Sequence, residues 1–270
     1  MTPAMFATFR RLIYEHAGID LREGKESLLE ARVAKRVRAL GLPDEASYLH
    51  YLEVDPSGEE IVQFLDVVST NFTSFFREPE HFQEIASRAA SWRAQGQRRF
   101  RFWSAASSSG EEPYSLAMVL SDVFANCSVD WRILATDIST RVLAQARTAC
   151  YTAEQVKTIP RDPAAKCLEA TGEESPAGPI YRILEPVRQR VSFKRLNLAH
   201  PPFPMRGPLD AVFCRNVMIY FSNEVRSRLV REIERLLRPD GLLFIGHSES
   251  LTGLETGLEM VRPSVYRKPA

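Results

Sequence analysis

Leu29, Val33, Val37 and Leu40 recur three or four residues apart, and Gly41 follows them. This spacing predicts a helix with one apolar stripe and a glycine stop. Residues 1 to about 80 show no strand-like alternation, and Ser47–Leu49 and Ile61–Val68 predict two further short helices. From Phe100 the pattern changes. Phe100–Ser104, Trp131–Thr136, Leu209–Cys214 and Leu242–Gly246 are short apolar runs of strand length. Helical stretches accompany them at Glu112–Phe124, Thr140–Thr148 and Glu224–Leu237. Continuous apolar strands alternating with helices predict a parallel sheet covered on both faces. Ser264–Lys268 predicts a last, antiparallel edge strand.

Residues 155 to about 195 interrupt the alternation. The turn-rich stretch Glu173–Pro179 predicts a tip, with Tyr181–Leu184 and Arg190–Phe193 as flanking short strands. His200–Pro208 holds four prolines and predicts a rigid surface loop. The expected division is a helical domain over 1–85 and an α/β domain over 86–270. A small β subdomain is expected as an insertion at about 160–195.

Composition narrows the function classes. Hydrophobic residues make up 44% and charged residues 26%, as in an ordinary globular chain. Lys and Arg number 35 against 34 Asp and Glu, a net charge of +1, which argues against a global electrostatic grip on nucleic acid or anionic lipid. No stretch reaches the ~18 apolar residues of a membrane span. Arg10, Arg11, Glu15, His16 and Asp20 interrupt any signal-peptide core, so no membrane insertion is expected. Cys127, Cys150, Cys167 and Cys214 lack C-x-x-C spacing and read as reduced thiols of a cytoplasmic chain. The histidines lie far apart in sequence, and no metal site is expected. Arg32, Lys35, Arg36 and Arg38 fill much of the polar part of the first predicted helix. They make either a solvated face or a docking surface for an acidic helical partner.

Ligands of open parallel sheets bind beyond the carboxyl ends of the strands. The first strand there runs into small residues, Ala105–Gly110, followed by Glu111, Glu112 and Pro113. Small residues let the backbone approach a ligand, and Pro113 suits the first turn of a helix. The dinucleotide signature G-x-G-x-x-G is missing, and two carboxylates would repel a phosphate. They suit an ammonium group. The second strand ends at Asp137, placed to accept ribose hydroxyls, to cap the next helix, or both. S-adenosylmethionine combines ribose hydroxyls and an ammonium without a phosphate.

Further blocks stand in order along the chain. They are Asn71–Arg77 (N-F-T-S-F-F-R) with His81-Phe82, Ser104–Ser115, Ala135–Ser139, Phe193 with Asn197-Leu198, Phe213–Phe221 and Gly246–Glu249. With them the chain resembles the CheR family of chemotaxis receptor methyltransferases along nearly its whole length. The resemblance implies a Rossmann-like S-adenosylmethionine-dependent methyltransferase sheet, an N-terminal all-helical domain and a small inserted antiparallel β subdomain. It implies methyl transfer from S-adenosylmethionine to glutamate side chains of chemoreceptors, forming glutamate methyl esters in chemotaxis adaptation. Asn71, Thr73, Arg77, Glu112, Asp137, Asn197, Leu198, Arg215 and Asn216 resemble the family's cofactor shell, with Glu112 favoured over Glu111 for the ammonium. Arg77 and Tyr220 resemble the catalytic pair beside the transferred methyl. The helix around Arg32–Arg38 resembles the element that faces the receptor's cytoplasmic helices. The insertion resembles the subdomain that in some members captures a receptor C-terminal peptide. Ser107 stands where Cys or Ala is common, Cys150 stands next to Tyr151 in place of a glycine, and the insertion tip at Thr171–Pro179 is longer than usual.

The implied chemistry asks little of acid–base groups. A glutamate with its ordinary pKa of ~4.3 is already an anionic nucleophile at neutral pH. Two rivals remain at this stage, a small-molecule methyltransferase of the same fold and a cofactor-sensing scaffold without turnover. The basic helical domain argues against the first, and the intact Arg77, Asp137 and Tyr220 against the second.

Overall fold

The computed structural model describes residues 1–269. Four helices open the chain: α1 (Pro3–Ala17), α2 (Glu26–Leu40), α3 (Glu45–Val54) and α4 (Glu59–Val68). Their core is Phe9, Tyr48 and Phe64 in mutual aromatic contact, with Leu29 and Val33 from the apolar stripe of α2. Gly41 ends α2 in the left-handed region, as its position predicts. Gly18 does the same for α1 at φ +68, and an added Cβ would sit 2.4 Å from the Cβ of Ala199. The helical domain and the rest of the chain therefore touch closely at that glycine.

The basic face of α2 divides in two. The Arg32 guanidinium donates to the carbonyls of Val67, Val68 and Ser69, the unpaired end of α4. Arg36 makes a bidentate pair with buried Glu60, at 2.8 and 2.7 Å, and Tyr48 donates to the same carboxylate. These two arginines hold the domain together and are unlike the solvated or docking charges expected there. Lys35 and Arg38 stay exposed.

The second body starts with α5 (Pro79–Ala94), β1 (Arg99–Ser104), α6 (Glu111–Val123), β2 (Asp130–Asp137) and α7 (Thr140–Thr148). An excursion follows: β3 (Cys150–Thr152), α8 (Ala153–Val156), α9 (Arg161–Cys167), β4 (Leu168–Ser175), β5 (Gly178–Ile183) and α10 (Glu185–Arg188). The chain ends with β6 (Val191–Arg195), β7 (Leu209–Cys214), α11 (Asn223–Leu236), β8 (Leu237–Ile245), β9 (Glu259–Arg262) and β10 (Val265–Arg267). Seven strands form the main sheet in the order β6-β2-β1-β7-β8-β10-β9. The first five are parallel, and β10 pairs antiparallel to both neighbours. Strand side chains alternate between two cores. Phe100, Phe102, Phe213 and Phe244 join Phe82, Ile85 and Leu116 from α5 and α6 on one face. Trp103, Val212, Leu243 and Ile245 join Leu229, Val230 and Ile233 of α11 on the other. A boundary at residue 85 would fall inside α5, whose buried side chains belong to the sheet's core.

Three expectations need correction. Ser264–Lys268 is not the edge, because β9 pairs outside β10. β9 exposes three of its four residues, so it carries no apolar strand signal. Arg190–Phe193 does not flank the insertion as part of a small sheet. It forms β6, the parallel edge of the main sheet, with Ile133 opposite Val191. That pairing joins residues 58 positions apart, which no local pattern reveals. The separate sheet is β3-β5-β4, antiparallel, and it begins earlier than expected, at Cys150. The expected tip is mostly strand, with Glu173–Ser175 in β4 and Gly178-Pro179 in β5, and the turn itself is short.

Candidate active site

The segment after β1 is built to come close to something. Ser107 N–H donates to the Thr136 carbonyl, and Ser108 N–H to Asp137 Oδ2 at 2.9 Å, so the small-residue loop is sewn to the end of β2. Ser108 sits at φ +47 and Gly110 at φ +99. A Cβ on Gly110 would meet the Tyr151 hydroxyl at 2.7 Å, so side chains are excluded there. The two carboxylates that follow part company. Glu111 accepts from Ser109 and Gln155, away from the cavity. Glu112 accepts from Ser104 Oγ at 2.7 Å and Arg215 Nη1 at 3.0 Å and faces the cavity. Burial pushes its carboxyl up while the Arg215 cation opposes the shift.

A cavity of about 470 Å³ opens at the carboxyl ends of β1, β2 and β7, where ligands of such sheets bind. Asn71, Thr73, Arg77, Glu112, Asp137, Asn197, Leu198, Arg215, Asn216 and Tyr220 all line it. Asp137 does not cap α7. That cap is Ser139, whose side chain accepts from Val142 N–H, while Asp137 accepts from Ser108 and Ser139 backbone. Burial raises its carboxyl as well. Asn197 lends part of its amide to structure, donating to the His16 carbonyl at 2.6 Å. Arg215 is enclosed, giving its guanidinium to Glu112, to Glu78 at 2.9 Å and to the Arg77 carbonyl. It acts by placing carboxylates. Arg77 itself has no carboxylate partner among the described residues and lies 5.8 Å over the Phe72 ring.

Sequence reasoning missed the supports. Glu78, at φ +56, receives Arg215, the Asn216 amide and His247 N–H, and Arg215 holds its carboxyl low despite burial. Glu249 accepts from the backbone of Gly246, Asn216 and Ile219, fixing the segment that carries Tyr220. Gly246 leaves no room for a Cβ, which would fall 2.3 Å from Asn216 Nδ2. The acidic residue three positions after that glycine was the available signal. Beside them, burial and then Arg215 hold His81 down to about 4, so it is neutral at pH 7.

Two family models cover the chain. The CheR methyltransferase SAM-binding domain matches residues 71–266, and the CheR methyltransferase all-alpha domain matches residues 4–69. The chain belongs to the CheR methyltransferase family. It is 39% identical to the chemotaxis protein methyltransferase of Escherichia coli, over 98% of this chain and 91% of that one. It is 38% identical to chemotaxis protein methyltransferase 2 of Pseudomonas aeruginosa, over 97% and 91%, and 34% identical to the chemotaxis protein methyltransferase of Borreliella burgdorferi, over 96% and 92%.

CheR membership makes this an S-adenosylmethionine-dependent methyltransferase of chemotaxis, and the cavity suits that cofactor. It offers two carboxylates for an ammonium and a ribose diol. It also offers a free donor, because the buried Asn71 Nδ2 has no partner among the described residues. No helix of the described residues is long and apolar enough to cross a membrane. The CheR helical domain forms part of the cavity wall, through Ile19, Arg22, Lys25 and Leu28. Asp66 of α4 binds the first turn of α7, accepting from Thr140 N–H at 2.8 Å and its hydroxyl at 2.6 Å.

Proposed function

We propose that this chain transfers the methyl group of S-adenosylmethionine to glutamate side chains on the cytoplasmic helices of chemoreceptors, forming methyl esters. The observation that carries this reading is the single cavity shared by Glu112, Asp137, Arg77 and Tyr220. In it Glu112 receives the cofactor's ammonium, Asp137 its ribose hydroxyls, and Asn71 donates from its amide, with Thr73, Leu198 and Asn216 completing the wall. Bound S-adenosylmethionine supplies an electrophilic methyl group on a sulfonium. The chain's own task is then positioning and exclusion of water, which contributes ~7 kcal/mol or more when reacting atoms are held near attack geometry. Arg77, free of carboxylate partners among the described residues, holds one oxygen of the incoming glutamate, and the Tyr220 hydroxyl donates to fix its angle. The glutamate needs no general base, because it arrives ionised.

The receptor reaches the cavity across the helical domain, where Arg22 and Lys25 on the wall and exposed Lys35 and Arg38 on α2 attract an acidic helix. β4, one of the two outer strands of the small sheet, is the edge at which a receptor C-terminal peptide would add as a further strand. In this reading the enzyme works in the cytoplasm, on the receptors' inner portions. Incubation with methyl-labelled S-adenosylmethionine and receptor-bearing membranes tests the assignment. Base-labile label on receptor glutamates is expected, and label that survives mild base, or appears only on small molecules, overturns it.

A further inference from the structure

Glu78 and His81, three residues apart at the start of α5, meet His247 behind the cavity wall. Glu78 Oε2 lies 3.4 Å from His81 Nδ1 and 4.0 Å from His247 Nε2. One ligand atom from each of the three residues falls within 4.8 Å of the others. His81 is buried, and both its ring nitrogens lack a hydrogen-bond partner among the described residues. A buried polar group without a partner costs ~1–3 kcal/mol, so this imidazole is placed at a cost that packing against Phe244 does not explain. His247 is half-exposed and gives the group an opening to solvent.

We propose that Glu78, His81 and His247 form a binding site for a divalent transition metal ion of the zinc type. Donors bound at ~2.0–2.2 Å in a tetrahedron stand ~3.3–3.5 Å apart. The 3.4 Å Glu78–His81 separation already fits, and the wider ones, up to 4.8 Å, close by rotation of the half-exposed His247. Two imidazoles and a carboxylate select zinc, nickel or copper over magnesium or calcium, which take oxygen ligands. The fourth position falls to water or to Glu80, whose carboxylate already lies 2.8 Å from His247 Nε2 and is exposed enough to swing. The charges agree. Glu78 and Glu80 bring two carboxylates to the group, while the Arg215 guanidinium that touches Glu78 is shared with Glu112, so the surroundings of a divalent ion are acidic. Glu78 also receives the Arg215 guanidinium, so the ion would share the carboxylate that places Arg215 beside the cofactor cavity.

Cobalt titration of the full-length protein, loaded with S-adenosylhomocysteine, tests the proposal. One equivalent should bind with visible d–d bands and without the near-ultraviolet sulfur-to-metal bands that binding at Cys127 or Cys150 would produce, and zinc should displace it. His247→Ala, a change at a half-exposed side chain, should weaken binding by at least about tenfold. Absence of d–d bands at stoichiometric cobalt, or equal binding by His247→Ala, overturns the site and leaves His81 as a neutral packing residue beside Glu78 and His247. Cofactor affinity and methylation are separate readouts, so either result leaves the proposed function standing or falling on its own test.

Discussion

The backbone N–H of Asp20 donates to the carbonyl of Tyr220 at 2.8 Å, and Ile19 and Phe221 form an antiparallel bridge beside it. The loop after the first helix thus braces the turn that carries the tyrosine. Asn197 reaches His16 across 181 residues of sequence, and Asp66 binds the first turn of α7. The helical domain is therefore part of the scaffold of the cavity.

Asp66→Ala should expose the cost of that bracing. The carboxylate is buried and reinforces the first turn of α7 beside its Ser139 cap, accepting two backbone N–H bonds and one hydroxyl bond. Removing a buried acceptor and leaving its donors unpaired costs ~1–3 kcal/mol. Denaturant unfolding should show a lower midpoint of that size, and an unchanged midpoint would make the contact dispensable.

Tyr220→Phe should lower kcat by at least tenfold, about 1.4 kcal/mol, if the hydroxyl fixes the glutamate's angle. The change removes one oxygen and keeps the ring, while the brace to Asp20 runs through the backbone and survives. Arg77→Ala should lower kcat as well and also loosen the cofactor, because its guanidinium lines the same cavity. Single-turnover methylation separates the effects. A normal single-turnover rate in Tyr220→Phe would reduce that residue to a wall of the pocket.

Asp137→Ala should weaken S-adenosylhomocysteine binding about ten- to a hundred-fold, the ~1.5–3 kcal/mol of a hydrogen bond to a charged acceptor. Helix capping is not a competing cause, since Ser139 caps α7. The variant does free the N–H groups of Ser108 and Ser139, so calorimetry should be paired with a thermal unfolding curve. Unchanged affinity in a folded variant would leave Asp137 as a stitch between β1 and β2.

The residues that announce themselves in the sequence are those whose chemistry is local. The apolar strands β1, β2, β7 and β8, the helices between them and the small-residue loop before Glu112 all follow from periodicity and residue size. What escaped depends on pairing across the chain. β6 joins β2 although an entire excursion separates them, and β9 is an edge strand with polar exposed residues. Glu249 stands in a matching block of the sequence and Glu78 beside one, but neither has a role until β7 and β8 bring Arg215 and Gly246 beside them. His81 and His247 lie on α5 and after β8, which hid their proximity. Arg32 and Arg36 fit the pattern of a charged face, and only the packing of α4 against α2 gives them internal partners.

That last difference changes which charges should govern docking. Reversing exposed Lys35 and Arg38 to Glu should raise the receptor KM and leave S-adenosylhomocysteine affinity unchanged, since neither side chain lines the cavity. The wild-type KM should also rise with salt, because exposed charges are screened over ~8–10 Å at physiological ionic strength. Arg36→Glu should behave differently. It would set two carboxylates against each other beside Tyr48, and breaking a buried ion pair on one side costs ~3–5 kcal/mol. Its loss of activity should track unfolding of the helical domain, with a lower melting temperature, where the Lys35 and Arg38 reversals keep theirs. Receptor methylation insensitive to both the exposed reversals and salt would make the α2 surface a solvated face and place receptor recognition elsewhere on the chain.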